Sequence, residues 1–185
     1  GNSSSVNSGK ILLSTPSAGK SGVSGSMHLR TGFATNGEAG YIGLTSGSSK
    51  NGSGGHIELI SGKGTDKSGG DVALLAGETT ASTGTGGRVR LCGGKGSSDD
   101  SIDGGNGGGI ELKAGEGLGR NHVLDNGGNL LFQGGRSSNA KGGSINLQSG
   151  ASSRSSSGSI NLITSDSADM GVSGTINIRS GISFR

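Results

Sequence analysis

The chain has 185 residues, of which 43 are glycine, with three Phe, one Tyr, one Pro and no Trp. Leu, Ile, Val and Phe make up just under a fifth of it, which is near the level at which disorder becomes the default expectation. The net charge is only +3 and the basic residues form no run, so a nucleic-acid surface is not expected. No apolar stretch is long enough to cross a bilayer, and we expect no membrane insertion. The single Cys92 excludes an internal disulfide.

Apolar residues recur at a nearly constant interval from one end of the chain to the other. We call the first apolar residue of each repeat its anchor. Most anchors are 15 or 16 residues apart. A disordered Gly/Ser linker has no reason to space its apolar residues so evenly, so the pattern predicts an ordered array of repeats. The eleven anchors are Ile11, Met27, Ile42, Ile57, Val72, Val89, Ile110, Leu130, Ile145, Ile160 and Ile176.

Each repeat has the same internal pattern around its anchor. A glycine stands two positions before every anchor, and Leu, Ile or Phe stands two positions after it. A small residue follows at the fourth position and usually a glycine at the fifth, where Pro16 and Ser165 are the departures. This spacing has the period of a strand with one buried face. The glycines predict corners, made either by positive φ angles or by tight packing.

Two architectures fit such repeats: a β-solenoid with one coil per repeat, or a meander of hairpins. In a solenoid every coil follows the same path, so equal spacing follows directly. We therefore predict an all-β fold, a single-stack β-solenoid of about eleven coils with about 15 residues per coil and a thin Ile/Leu core. Residues 1–185 would form one domain with long loop insertions at residues 93–107 and 116–127. Asn146, Asn161 and Asn177 share one repeat position, and stacked amides there could bond from coil to coil.

The two long loops carry most of the candidate binding residues. Asp99, Asp100 and Asp103 are calcium candidates, because carboxylate oxygens on a glycine-rich loop suit that ion. Neither the EF-hand spacing nor the nonapeptide calcium-binding repeat is present, and two solvated insertions are the alternative. No cofactor is expected. The same loops also carry the candidate polar residues Asn106, Glu116, Arg120, His122 and Asp125.

If the anchors point inward, a second set of apolar side chains points outward. Ile60, Leu75 and Cys92 occupy this outward position in successive repeats and are the predicted self-association residues. Burial of the same stripe by the insertions, or by a flat two-sided sheet, is the alternative. Asn2 and Asn51 lie in glycosylation sequences and would be modified if the chain is secreted.

The phrase G-x-I-x-L-x-S-G, complete at residues 143–150, is repeated with Ser/Gly tracts between its copies. In this it resembles the Gly/Ser-rich tandem-repeat β-solenoid proteins, secreted or surface-bound, of algae and other stramenopiles. The resemblance implies an extracellular or cell-surface structural role and identifies no catalytic or binding residue.

These observations together predict a structural, self-associating subunit of an extracellular filament, appendage or surface layer, with no catalytic activity. Its partners would be other copies of itself, bound end to end or laterally, or other matrix or appendage proteins or glycans. An adhesin or glycan-binding rod that uses the long loops is the main alternative. Ice binding is a further one, although no Thr-x-Thr ladder is present.

Overall fold

The structure is a computed structural model that describes residues 8–121, 123–168 and 171–183. Within these residues there is no α-helix and no β-strand, and the chain is mostly coil. Its local features are turns at residues 20–21, 82–83 and 123–124 and short bends within the loops. The chain divides into two compact units, Gly1–Arg90 and Leu91–Arg185. The prediction of a single domain stays a prediction.

The predicted all-β fold, a β-solenoid of stacked tandem coils, is wrong. Stacked coils require continuous ladders of backbone hydrogen bonds between neighbouring strands. The described residues contain twelve backbone–backbone hydrogen bonds, where a folded chain of this length usually has about 120. Most of the twelve close individual loops, so no ladder links one repeat to the next.

The predicted Ile/Leu core is also wrong, because no described residue is buried. The chain exposes 19263 Å², whereas a compact protein of 17.9 kDa exposes about 8,000 Å². Even the anchors, which were expected to form the core, are exposed: Ile11 is 90% exposed and the others about half, with Ile57 at 53%. One copy of the chain therefore leaves nearly all its apolar side chains in contact with water.

Closed loops are the recurrent element of the structure. The glycine five positions after one anchor accepts a hydrogen bond from the amide of the glycine two positions before the next anchor. We call these two residues a closing glycine pair. Loops of this size whose ends meet are Ω-loops. Seven pairs are hydrogen-bonded, at 2.8–3.0 Å: Gly47/Gly55, Gly62/Gly70, Gly77/Gly87, Gly94/Gly108, Gly115/Gly128, Gly135/Gly143 and Gly150/Gly158.

Close approach of the two backbones explains the glycine at the donor position of a pair. A Cβ atom on Gly143 would lie 2.9 Å from the amide nitrogen of Gly135, which is closer than real Cβ atoms come. Gly87 and Gly77 show the same distance. No glycine among the described residues has a positive φ. The sequence offered two explanations for these glycines, positive φ angles or tight packing. The structure favours tight packing.

Hydroxyl groups reinforce the loop ends in the first unit. The Ser or Thr four positions after an anchor donates its hydroxyl hydrogen to a backbone carbonyl. The acceptor is the glycine two positions before the next anchor. Thr15 bonds Gly25 at 3.0 Å, and Ser46 bonds Gly55 at 2.9 Å. Thr31 makes the equivalent bond. Thr15 makes this bond where Pro16 replaces the first glycine of a pair.

Side chains between the loops alternate from one side of the backbone to the other. Lys113 Nζ lies 2.9 Å from Glu111 Oε1, and Asn177 Nδ2 donates to Thr175 Oγ1 at 3.3 Å. Contacts between residues two apart place both side chains on the same side, as in extended backbone. The anchor and the apolar residue two after it therefore share the opposite side. These are extended segments without a paired neighbour.

Candidate functional site

The loop between Gly94 and Gly108 contains a concave surface. Its ends meet at the closing glycine pair, where the amide of Gly108 donates to the carbonyl of Gly94 at 2.8 Å. A shallow, open depression lies within this loop, and its lining is mostly polar. The lining residues are Ser98, Ile102, Asp103, Gly104, Gly105 and Asn106.

Asp100 organises the tip of this loop. Its carboxylate oxygen Oδ1 accepts hydrogen bonds from the backbone amides of Asp103 at 3.0 Å and Ile102 at 2.8 Å. These donors stabilise the charged form, so the amide of Asp103 and then that of Ile102 lower the pKa of Asp100 below its ordinary value. Slight desolvation opposes them. Asp100 therefore stays ionised in neutral solution and holds the turn.

The predicted calcium residues are not assembled into a metal site. Asp100 directs one carboxylate oxygen at backbone amides within its own turn, and Asp103 lines the depression. Asp99 is its exposed neighbour. No three His, Cys, Asp or Glu side chains in the described part of the chain are placed to hold a metal ion. The calcium assignment gains no support from this geometry and stays a prediction.

The second long loop, between Gly115 and Gly128, is organised by its own polar side chains. Asp125 Oδ2 accepts from the amide of Asn121 at 2.7 Å. Asn121 Oδ1 in turn accepts from the amides of Val123 and Leu124. The carboxylate and amide oxygens are thus used to fold the loop. Glu116 and Arg120 are exposed, while His122 lies outside the described residues.

The predicted self-association residues are all exposed. Ile60 is 78% and Leu75 86% exposed, and both belong to the first unit. Cys92 is an exposed free thiol in the second unit. Each is available to a partner, and their role in self-association stays a prediction.

Of the two glycosylation candidates, Asn51 lies among the described residues and Asn2 does not. Asn51 is exposed, in a bend within the loop closed by Gly47 and Gly55. Across the part of the chain that is described, no helix has the length and apolar character needed to span a membrane.

Two features were not singled out from the sequence as functional. The first is the pairing of glycines across each loop, although both glycine positions were visible in the repeat. The second is the turn around Asp100. The sequence Asp-Ser-Ile-Asp-Gly at residues 100–104 could have indicated bonding between the Asp side chain and the backbone. Both features organise loops through backbone atoms, which a search for chemically reactive side chains passes over.

Comparison with known proteins gave no relative. No family model, no curated protein and no solved structure matches the chain.

Proposed function

We propose that the chain is a structural protein whose copies associate with one another in an extracellular or cell-surface assembly, such as a filament, appendage or surface layer. The observation that carries this proposal is the exposure of its apolar side chains. The proposed work is mechanical, and no catalytic activity is part of it.

The amount of exposed surface supports assembly. The chain leaves 19263 Å² in contact with solvent, more than twice the area of about 8,000 Å² typical of a compact chain of its mass. Much of this surface comes from exposed Ile, Leu, Val and Phe residues, and extensive exposed apolar surface marks an interaction site or an aggregation hazard. The regular placement of the apolar residues favours the first, because identical copies can bring their regular positions into contact.

The composition supports an extracellular setting. Ser- and Gly-rich closed loops leave many backbone and hydroxyl groups exposed to water, and one exposed loop carries the Asn51-Gly52-Ser53 glycosylation sequence. We expect glycans, if added, to extend from the loops and leave the apolar segments between them free.

Sedimentation velocity over a hundredfold range of protein concentration, with negative-stain electron microscopy at the highest, tests the proposal. We expect the sedimentation coefficient to rise with concentration and ordered assemblies to be visible. A chain that remains a single copy throughout the range would rule the proposal out.

A binding module is the second candidate, and the open depression in the loop from Gly94 to Gly108 favours it. Its polar lining and exposed amide Asn106 suit hydrogen bonding to a glycan. Saturable binding of a glycan by the single-copy chain, lost when residues 95–107 are removed, would select this function over self-association.

A further inference from the structure

Three consecutive extended segments differ from most of the others in having no charge. They run from the residue before an anchor to the fourth residue after it, and we call them the uncharged segments: residues 129–134, 144–149 and 159–164. One other equivalent segment, residues 41–46, also lacks charge, but Gly43 interrupts it. Every remaining segment carries at least one charged residue, for example Glu58, Asp71 or Arg179. Short segments with apolar residues, no charge and no proline are those that stack most readily with copies of themselves.

The apolar residues of the uncharged segments expose a surface of the size found in stable interfaces. The chain exposes 19263 Å² over its 185 residues, about 104 Å² per residue. Eight apolar residues at that average present roughly 800 Å² of total surface, which is comparable to one partner's share of a standard interface. Each of the eight is at least 53% exposed. They are Leu130, Leu131, Phe132, Ile145, Leu147, Ile160, Leu162 and Ile163.

The backbone of these segments is also available. No hydrogen bond joins their amides or carbonyls to another described residue. Water can satisfy those groups in a single copy, but burying the apolar side chains against a partner would remove that water. Buried backbone groups then need protein partners. An extended segment from a second copy supplies both apolar side chains and backbone partners.

Equal spacing lets two copies align with all three uncharged segments side by side, whereas an alignment shifted by one repeat would pair only two of them. The anchors Leu130, Ile145 and Ile160 are 15 residues apart, and two equal loops separate the three segments. Alignment in register places Asn146 and Asn161 beside the same residues of the next copy, where amides can bond to each other. In a charged segment the same alignment would place Glu58 against Glu58, which is unfavourable.

From these observations we infer that copies of this chain pair in register through the uncharged segments, with like segments side by side. The inference rests on the proposed self-association and specifies where and how it occurs. The partner of each uncharged segment is thus the same segment of a second copy.

A matched pair of substitutions in the full-length chain tests the location. Leu162→Lys introduces a charge into an uncharged segment, and Leu59→Lys introduces it at the same repeat position of a segment that already contains Glu58. The two leucines are equally open, at 62% and 65% exposure. Because neither is buried, neither substitution removes core packing. Sedimentation velocity should show that Leu162→Lys raises the concentration for half-association at least tenfold and Leu59→Lys less than threefold.

Mixing tests the register. Leu162→Lys and Leu162→Glu should each associate poorly alone, since like charges meet at position 162 of neighbouring copies. An equimolar mixture should associate within threefold of the unmodified chain, because Lys then faces Glu. Added salt should weaken this recovery, since it screens the pair.

The outcomes separate this inference from the proposed function. An unmodified chain that never associates overturns both. Association that Leu59→Lys impairs as much as Leu162→Lys overturns the location while leaving the proposed function intact. A mixture that associates no better than its components overturns the alignment in register.

Discussion

Single glycine residues determine where this chain folds back on itself. In the pair Gly135/Gly143 the two positions are not equivalent. A Cβ on Gly143 would crowd the Gly135 backbone, whereas one on Gly135 would meet nothing within 4 Å. The crowded position is the hydrogen-bond donor of the pair. The amide that closes the loop thus belongs to the residue that tolerates no side chain.

We expect Gly143→Ala to open its loop and Gly135→Ala to leave it closed. Both remove a glycine and so restrict the open chain to a similar degree, which makes them a matched pair. A hydrogen bond contributes about 1 kcal/mol net, so its loss should speed amide hydrogen exchange at position 143 about fivefold. NMR-detected exchange measures this, with the Gly158 amide as an internal reference. Equal exchange rates in the two variants would contradict the explanation from close approach.

At the scale of the loop, length has little influence on closure. The loop closed by Gly94 and Gly108 contains 13 residues and that closed by Gly135 and Gly143 contains seven. Their hydrogen bonds have the same length, 2.8 Å. Closing a flexible loop becomes harder only with the logarithm of its length. The additional residues of the long loop are therefore free for the turn at Asp100 and the depression beside it.

Replacing residues 95–107 by the sequence of residues 136–142 should preserve the closure. The shorter loop should close more favourably by about 0.5 kcal/mol, which is a two- to threefold slower exchange of the Gly108 amide. Hydrogen exchange at Gly108 provides the measurement, and Gly128 in the next closed loop is the control. Exchange at Gly108 accelerated tenfold would mean that contacts within the long loop, and not the glycine pair, hold its ends together.

The extended segments show how far the sequence could predict this structure. The spacing of Ile57 and Leu59 predicts that both lie on one side of the backbone, and the contacts Glu111–Lys113 and Thr175–Asn177 follow that alternation. The predicted burial of these side chains is not found. The spacing specifies which side chains lie on the same side of the backbone, but it does not specify which other residues cover them. The solenoid prediction assumed that neighbouring repeats of the same chain would pack over these side chains. The calcium hypothesis considered the side chain of Asp100 alone, and the sequence spacing did not reveal that two backbone amides bond to its Oδ1 oxygen.

For the whole molecule, the large exposed area means that little surface remains to be exposed by unfolding. A fully unfolded chain of 17.9 kDa exposes about 26,000 Å². The observed 19263 Å² leaves roughly 7,000 Å² to be exposed, against roughly 18,000 Å² for a compact protein of this mass. The cooperativity of an unfolding transition depends on the area that unfolding newly exposes.

We therefore expect the single-copy chain to have a urea m-value about one third of that of a compact protein of equal length, since m scales with the area exposed on unfolding. The transition should be broad, and scanning calorimetry should show no distinct heat-absorption peak. Both measurements require a concentration at which sedimentation shows single copies. A sharp transition with an ordinary m-value would contradict the exposed state of the apolar side chains.

The closing glycine pairs also bear on how such a chain could lengthen during evolution. Within each pair the acceptor glycine belongs to one repeat and the donor glycine to the next. An interior repeat therefore contains the donor of the loop before it and the acceptor of the loop after it. Unequal recombination that inserts a whole interior repeat would supply both halves together, and every loop on either side of the junction would keep its partner. Because the bond joins main-chain atoms, the loop between could diverge in sequence and length without a compensating change elsewhere in the gene.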